Sequence, residues 1–152
     1  MSEADNLERY SVSASSESNT RTLVEVREFE FVVDEPAELD GTNEGPNPVE
    51  YFIGSWAGCL NVVTHAVAAE RDIDIEGIEF EIAGELDPRA LLGIADDVRA
   101  GYQEIRVNMS VESEADEAEL AALGEAVEQR CPVADNITNP TPTEVVFEPA
   151  GD

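Results

Sequence analysis

Two cysteine thiols, Cys59 and Cys131, are the side chains of this sequence with the widest range of possible chemistry. Cys59 lies in a stretch of small and apolar residues, and Cys131 stands directly before a proline. The thiolate is the form of cysteine that attacks electrophiles or binds metals, so either residue could be reactive. Free cysteine also serves as a small buried apolar residue. The residue types alone leave both interpretations open.

A zinc site is not indicated around these thiols. Two cysteines, one histidine (His65) and no Cys-x-x-Cys spacing make a poor set of zinc ligands. His65 follows Cys59 by six residues, and we expect a core or interface histidine, with a catalytic base as the lesser alternative. The sequence thus predicts neither a metal nor a bound cofactor.

A long helix is predicted to carry Cys59. It begins at Asn47-Pro48-Val49-Glu50, where an Asn can cap, a Pro suits the first helical position and a Glu follows three residues after the Asn. The helix is expected to run to about Arg71 as a buried central helix. The residues expected on one face, at spacings of three and four, are Phe52, Trp56, Cys59, Val63 and Ala66. Polar and glycine residues interrupt its apolar run, so a core helix is favoured over a membrane span.

The remaining pattern predicts an α+β fold. Strands are expected, from alternation of apolar and polar residues, at 9–15, at 21–33 divided by a bulge or turn at Arg27-Glu28, at 78–83, at 105–111 and at 143–148. A second helix is expected at Asp116–Arg130, and Pro132 is suited to start a short helical turn. The predicted order is βββ-α-ββ-α-β.

The length and the net charge of the chain limit the number of domains and the kinds of partner that can be expected. A chain of 152 residues favours one domain, 1–152, with residues 1–8 as a flexible or dimer-arm segment. The net charge is −27, and all eight basic residues are arginine. The negative charges on such a surface repel one another unless salt screens them. The composition therefore favours a protein of a salty cytoplasm, as in a halophile. Nucleic acid and anionic membranes are poor partners for it, and the acidic start lacks the apolar run of a signal peptide.

Three short segments together resemble the OsmC/Ohr family, the osmotically inducible and organic hydroperoxide resistance proteins. They are Gly45-Pro46-Asn47-Pro48-Val49-Glu50, Ala57-Gly58-Cys59 and Cys131-Pro132-Val133. The resemblance extends from about Ser11 to Phe147 and includes the order of the elements. It implies the OsmC/Ohr-like fold and an intertwined homodimer with active sites at the subunit interface.

The same resemblance implies a cysteine-based peroxidase that defends against oxidative stress. Cys59 would attack an organic hydroperoxide and become a sulfenic acid, and Cys131 would resolve it as a disulfide. An external dithiol, of lipoyl type in some members of the family, would reduce that disulfide. Aromatic residues near Cys59 (Tyr51, Phe52 and Trp56) could line an apolar substrate pocket, although core or interface roles fit them as well.

The Cys59 thiolate needs an activating charge, because the dipole of a helix acts within its first turn and Cys59 lies about three turns inside. The family places an arginine on an early strand, where Arg21 matches best and Arg27 is the competitor. In the Ohr branch a carboxylate ten residues before the cysteine holds that arginine. Val49 occupies this position and Glu50 follows it, so Glu50 either takes the carboxylate role or serves the helix start.

The competing function is a dimeric binding or redox-sensing module without peroxidase turnover. The displaced glutamate favours this alternative, whereas the retained pair of cysteines favours the enzyme.

Overall fold

The computed structural model describes residues 3–151, with side chains from residue 5 onward. The chain divides into two compact units, Met1–Phe52 and Ile53–Asp152. Of the predicted arm at 1–8, residues 1 and 2 lie outside the described residues, and Glu3–Asn6 form a 3-10 turn.

The first unit is built on a three-stranded antiparallel sheet. Its strands are β1 (Ser13–Ser16), β2 (Thr22–Val26) and β3 (Phe29–Val33), paired in sequence order. Of the two alternatives predicted at Arg27-Glu28, a bulge or a turn, the structure shows the turn, because Val26 pairs with Phe29 and Arg27 has a positive φ of 54°. A loop with a short 3-10 turn, Ala37–Leu39, follows β3 and leads into α1 (Pro48–Glu70).

The second unit combines a two-stranded hairpin with helices. It contains most of α1, the strands β4 (Gly77–Leu86) and β5 (Tyr102–Glu112), and the helices α2 (Glu117–Arg130) and α3 (Pro132–Thr138). The strands β4 and β5 pair antiparallel from Gly77–Glu112 to Leu86–Tyr102. The sequence-based prediction of an α+β fold is confirmed, including the helical turn at Pro132.

The core of this unit joins α1, α2 and the start of α3. Its buried apolar residues are Leu60, Val67, Ala68, Leu123, Val127, Cys131 and Ala134. Helix α2 begins in a capping box, in which the Asp116 carboxylate accepts the N–H of Glu119 at 2.8 Å and Glu119 accepts the N–H of Asp116 at 3.0 Å. This cap fixes where α2 starts and thereby where its far end delivers Cys131.

Two predictions about the elements are wrong in detail. The fully buried residues of α1 are Leu60, Thr64, Val67 and Ala68. Of the predicted stripe, Trp56, Cys59 and Val63 pack partly buried against the core, whereas Phe52 and Ala66 are exposed. The predicted final strand at 143–148 is not formed, and residues 140–151 are neither helix nor strand. Alternating apolar residues give a strand propensity, but a strand also needs a hydrogen-bonding neighbour, and the described residues supply none here.

Candidate functional site

The sulfur atoms of Cys59 and Cys131 lie in direct contact, with Sγ and Sγ 2.8 Å apart. Both residues are free thiols separated by 72 positions in the chain. Cys59 sits midway along α1, and Cys131 occupies the break between α2 and α3. The packing of α2 on α1 therefore creates the pair, because neither residue has a local reason to meet the other.

The two thiols differ in exposure. Cys131 is only 1% exposed and belongs to the core, whereas Cys59 is half-buried. A small oxidant approaching from solvent therefore meets the sulfur of Cys59 before that of Cys131. This difference supports distinct roles for the two residues.

The N-terminus of α3 points at the sulfur pair. Cys131 is the N-cap of this helix, Pro132 follows, and the Cys131 sulfur accepts the N–H of Ala134 at 3.5 Å. The N–H of Val133 donates to the sulfur of Cys59. Free N–H groups at a helix start stabilise negative charge. Sequence reasoning considered only the distant start of α1, although the Cys131-Pro132 signal for a second helix start was available.

Burial raises the pKa of the Cys59 thiol above its ordinary value. The neighbouring thiol of Cys131 raises this pKa further, and the N–H of Val133 opposes the shift. In the described surroundings Cys59 is thus mainly protonated at neutral pH. A cation is needed to make it a ready nucleophile.

Arg21, the predicted activating cation, lies just before β2 and is bracketed by two carboxylates. It forms ion pairs with Glu17, across the turn between β1 and β2, and with Glu44, whose Oε2 lies 2.7 Å from the Arg21 Nε. Glu44 belongs to the loop between β3 and α1. Sequence reasoning did not identify either carboxylate as a partner of Arg21.

Glu50 lies in the first turn of α1 and caps it. Its carboxylate accepts the N–H of Asn47 at 2.8 Å, while Asn47 Oδ1 accepts the N–H of Glu50 at 2.9 Å. The predicted helix start, with Asn in place of Ser or Thr, is therefore present as a reciprocal pair of bonds. Of the two roles considered for Glu50, the structure describes this one.

Arg27, the competing cation, occupies the tip of the β2–β3 hairpin. Its guanidinium lies over the ring of Phe29, 5.1 Å from the centroid. Arg21 and Arg27 thus lie at opposite ends of β2.

Asp34 is a fully buried carboxylate that sequence reasoning missed. It directly follows β3, is 0% exposed, and accepts the N–H groups of Glu35 at 2.7 Å and Glu44 at 3.2 Å. The hydroxyl of Thr42 also donates to it and, with these other donors, holds the pKa of Asp34 far below its ordinary value. Asp34 is consequently ionised throughout the neutral range.

The other candidate side chains are dispersed. The Tyr51 hydroxyl donates to the carbonyl of Val32 at 2.8 Å, and its ring packs on Phe31. His65 is exposed on α1, with Nδ1 2.9 Å from the carbonyl oxygen of Asn61. Within the part of the chain that the structure describes, no cluster of three or more metal-binding side chains occurs.

A cavity of about 820 Å³ lies within the second unit. It is lined mainly by apolar side chains of α1, β5 and α2, among them Trp56. Leu60, which follows Cys59, and Ala134, whose N–H bonds to Cys131, also line it. An apolar chamber thus adjoins the residues that flank the thiol pair.

Helix α1 meets the length and composition criteria for a membrane span, with 23 residues and an 18-residue window of mean hydropathy 1.3. Its face of Leu60, Val67 and Ala68 nevertheless packs into the core with Leu123 and Val127 of α2. A core helix satisfies the same criteria. We therefore interpret α1 as a core helix.

Comparison with known proteins gives a consistent picture of the fold. The structure is similar to an OsmC-like protein of Mycoplasma pneumoniae, with TM-score 0.77, 19% identity, and 88% of this chain and 89% of the other covered. It is similar to an organic hydroperoxide resistance protein OsmC of Legionella pneumophila, with TM-score 0.62, 20% identity and coverages of 86% and 90%. The organic hydroperoxide resistance protein OhrB of Bacillus subtilis gives TM-score 0.58, 21% identity and coverages of 88% and 93%. A search of curated proteins finds no match.

The sequence comparison is independent of these structural similarities. The family model for OsmC-like proteins matches residues 41–146, which include both cysteines and every element from α1 to α3. This chain belongs to the OsmC family, as its three short sequence segments and its fold indicate together.

Proposed function

We propose that this protein is a thiol-dependent peroxidase that reduces organic hydroperoxides in oxidative-stress defence. The observation that carries the proposal is the contact of 2.8 Å between the sulfurs of Cys59 and Cys131. Two thiols in contact, one half-buried and one fully buried, suit a peroxide-reactive thiol and a resolving thiol. The names of the Legionella and Bacillus proteins support the substrate class.

In the first step, the Cys59 thiolate attacks the terminal oxygen of the hydroperoxide. The O–O bond breaks, an S–O bond forms, and the alkoxide leaves and takes up a proton as an alcohol. Cys59 is oxidised to a sulfenic acid, and the peroxide is reduced by two electrons. The assignment of this step to Cys59 follows from its greater exposure.

In the second step, the Cys131 sulfur attacks the sulfur of the Cys59 sulfenic acid. An S–S bond forms, the S–O bond breaks, and hydroxide leaves with the thiol proton as water. Because the sulfurs already touch, closure needs little movement, which competes well with further oxidation of the sulfenic acid. An external dithiol, for which a lipoyl group is the proposed chemical type, then reduces the disulfide by exchange and needs no bound cofactor.

Arg21 is proposed to lower the pKa of Cys59 and to orient the peroxide. The need for a cation follows from the burial that raises the pKa of this thiol. Arg27 is the alternative, and its position over Phe29 makes it the less suitable of the two. The cavity that adjoins the flanking residues Leu60 and Ala134 suits the apolar part of an alkyl hydroperoxide.

The active form is proposed to be an intertwined homodimer in which the whole chain acts as one OsmC-like domain. The support is the apolar surface that α1 leaves uncovered, including Val62 at 67% exposure and Phe52 at 45%. The cytoplasm is proposed as the site of action, since a thiol cycle needs a supply of reduced dithiol. Neither nucleic acid nor a membrane is proposed as a partner.

The test compares cumene hydroperoxide consumption by wild type, Cys59→Ser and Cys131→Ser, at high salt with a dithiol donor. Wild type should turn over, and Cys59→Ser should fall to the background rate. Cys131→Ser should complete one oxidation per subunit and then stall or overoxidise, as mass spectrometry of Cys59 would show. Background rates for all three folded proteins with several dithiols would overturn the proposal for this substrate class.

The second candidate is a redox-sensing binding protein with the same fold. The raised pKa of Cys59 favours it, because such a thiol reacts slowly with peroxide. A sensor would form the disulfide once, with a rate far below that of turnover. The single-oxidation rate of the wild-type protein therefore separates the two candidates.

A further inference from the structure

Asp34 is a carboxylate without solvent contact, at 0% exposure. Burying such a charge is unfavourable unless hydrogen bonds replace water. Here the donors are the N–H groups of Glu35 at 2.7 Å, Thr42 at 3.4 Å and Glu44 at 3.2 Å, together with the side-chain hydroxyls of Thr42 and Thr20. Three of these donors come from positions eight or ten residues further along the chain. Asp34 therefore fixes the far side of the loop against the end of β3.

Two glycines allow this loop to lie close to the strand. A β-carbon at Gly41 would collide with the carbonyl oxygen of Glu35, and one at Gly45 would collide with that of Val32. The backbone bond from the Asp34 N–H to the Pro46 carbonyl, at 3.1 Å, closes the loop at its end. Residues 41–46 are thus held at several points rather than by one contact.

Glu44 connects this anchored loop to Arg21. Its backbone N–H donates to Asp34, while its side-chain Oε2 lies 2.7 Å from the Arg21 Nε. The Glu44 side chain is 57% exposed, and an exposed ion pair between two freely moving side chains orders little. A backbone anchored through a buried carboxylate removes part of that freedom at Glu44. The ion pair, in which the Arg21 Nε–H is not aligned as a hydrogen bond, can then hold the guanidinium near this loop by charge attraction.

We infer that Asp34 and Glu44 form a relay that positions Arg21, with Glu44 rather than Glu50 in the carboxylate role. The inference rests on the proposed function, since it assigns positioning residues to that reaction. Glu50 is engaged at the start of α1 through its reciprocal bonds with Asn47. Glu17 also pairs with Arg21, but through a local contact four residues away in the turn before β2.

A double-mutant cycle tests the relay. Turnover with cumene hydroperoxide is measured for Glu44→Gln in the wild-type background and in the Arg21→Met background. Glu44→Gln alone should lower kcat/KM on the order of 10- to 100-fold, because small misplacements of a positioning group have effects of this size. In the Arg21→Met background the same change should have less than about a twofold effect, since the group that it positions is gone.

Two comparisons separate positioning from general damage. Glu38→Gln makes the same change at an exposed position of the same loop and should leave kcat/KM within about twofold of wild type. Glu50→Gln should have a smaller effect than Glu44→Gln, and that effect should be the same in both backgrounds. A larger effect for Glu50→Gln that vanishes with Arg21→Met would overturn the inference and return the role to Glu50.

Asp34→Asn tests the anchor. It keeps the shape of the side chain but weakens its acceptance of these donors, so kcat/KM should fall in the same direction as for Glu44→Gln. Adding Glu44→Gln to the Asp34→Asn variant should change kcat/KM little further, because both substitutions act through the position of Arg21. If Asp34→Asn fails to fold, Thr42→Val removes one donor hydroxyl and serves the same comparison. Turnover at the wild-type rate in a folded Asp34→Asn or Thr42→Val protein would contradict the relay.

Failure of the relay differs from failure of the proposed function. If Arg21→Met turns over like wild type, the role of Arg21 in the reaction is wrong. If Arg21→Met lowers kcat/KM, but Glu44→Gln either leaves kcat/KM unchanged or lowers it equally in the wild-type and Arg21→Met backgrounds, only the relay is wrong.

Discussion

At the scale of single residues, the proposed site depends on two thiols that differ in their structural roles. Cys131 is a core residue that also caps α3, while Cys59 presents a half-buried sulfur to it. Replacing Cys131 therefore disturbs both packing and chemistry, whereas replacing Cys59 by serine changes mainly the chemistry. Folding controls are consequently most important for variants of Cys131.

The raised pKa of Cys59 leads to a prediction about its titration. Burial is its main cause and the neighbouring Cys131 thiol the next, so Cys131→Ala removes the second cause and keeps most of the first. The pH midpoint for alkylation of Cys59 should accordingly move to lower pH in Cys131→Ala. The measurement is the rate of iodoacetamide alkylation from pH 6 to pH 10.5, with Cys59 followed by peptide mass spectrometry.

Val133→Ala serves as the control for this titration, because it keeps the backbone N–H that faces Cys59 while trimming a neighbouring side chain. It should leave the midpoint near that of wild type. An unchanged midpoint in a folded Cys131→Ala protein would show that the two thiols do not influence each other in solution, and a higher midpoint would show that Cys131 lowers the pKa of Cys59.

At the scale of elements, α1 combines two kinds of surface. One face, including Leu60 and Val67, belongs to the core, while the opposite face leaves Val62 67% exposed. A helix with apolar residues on most sides is normally buried all round. The uncovered face is the observation behind the proposed homodimer.

Val62→Asp tests this face of α1. A charge placed in an apolar contact between two copies is poorly compensated, so the dimer dissociation constant should rise by more than about 100-fold. Sedimentation equilibrium or light scattering at high salt would measure it. Ala118→Asp adds the same charge to the exposed side of α2 and should leave the oligomeric state unchanged. If both variants dissociate the dimer, the cause is a general effect of charge. If neither variant dissociates it, the interface between the two copies lies elsewhere.

At the scale of the whole molecule, the net charge of −27 dominates. Like charges on one compact surface repel each other and lower the free energy of unfolding, and salt reduces this repulsion as the Debye length falls from about 10 Å at 0.1 M to about 3 Å at 1 M. Such a surface suits the salty cytoplasm that we propose as the setting of this protein.

Stability should therefore rise with salt. The midpoint of thermal unfolding is expected to increase by roughly 10 °C or more between 0.1 M and 2 M NaCl, where about 1 kcal/mol corresponds to a few degrees. Scanning calorimetry or circular dichroism would measure it. The triple variant Glu79→Gln, Glu114→Gln, Glu125→Gln removes three exposed charges and should be more stable than wild type at low salt, with a weaker salt response; an equal response would point to a salt effect other than screening.

The sequence by itself determined a large part of this protein. Local signals placed the start of α1 at Asn47 and Pro48, the bulge or turn at Arg27, the start of α2 at Asp116 and the helical turn at Pro132. These features depend on backbone conformations and bonds within a few residues, which sequence records directly. The short segments around the two cysteines also indicated the family.

Only the tertiary structure decided which groups meet. It brought together the sulfurs of Cys59 and Cys131 across 72 positions, and it paired Arg21 with Glu44 while Glu50 caps α1. It also showed a buried Asp34 that no periodic pattern marks, and it left the predicted strand at 143–148 unpaired. Contacts between distant segments depend on how elements pack and on which backbone groups find partners, and a one-residue change of helical phase of about 100° is enough to exchange the contacting side chains.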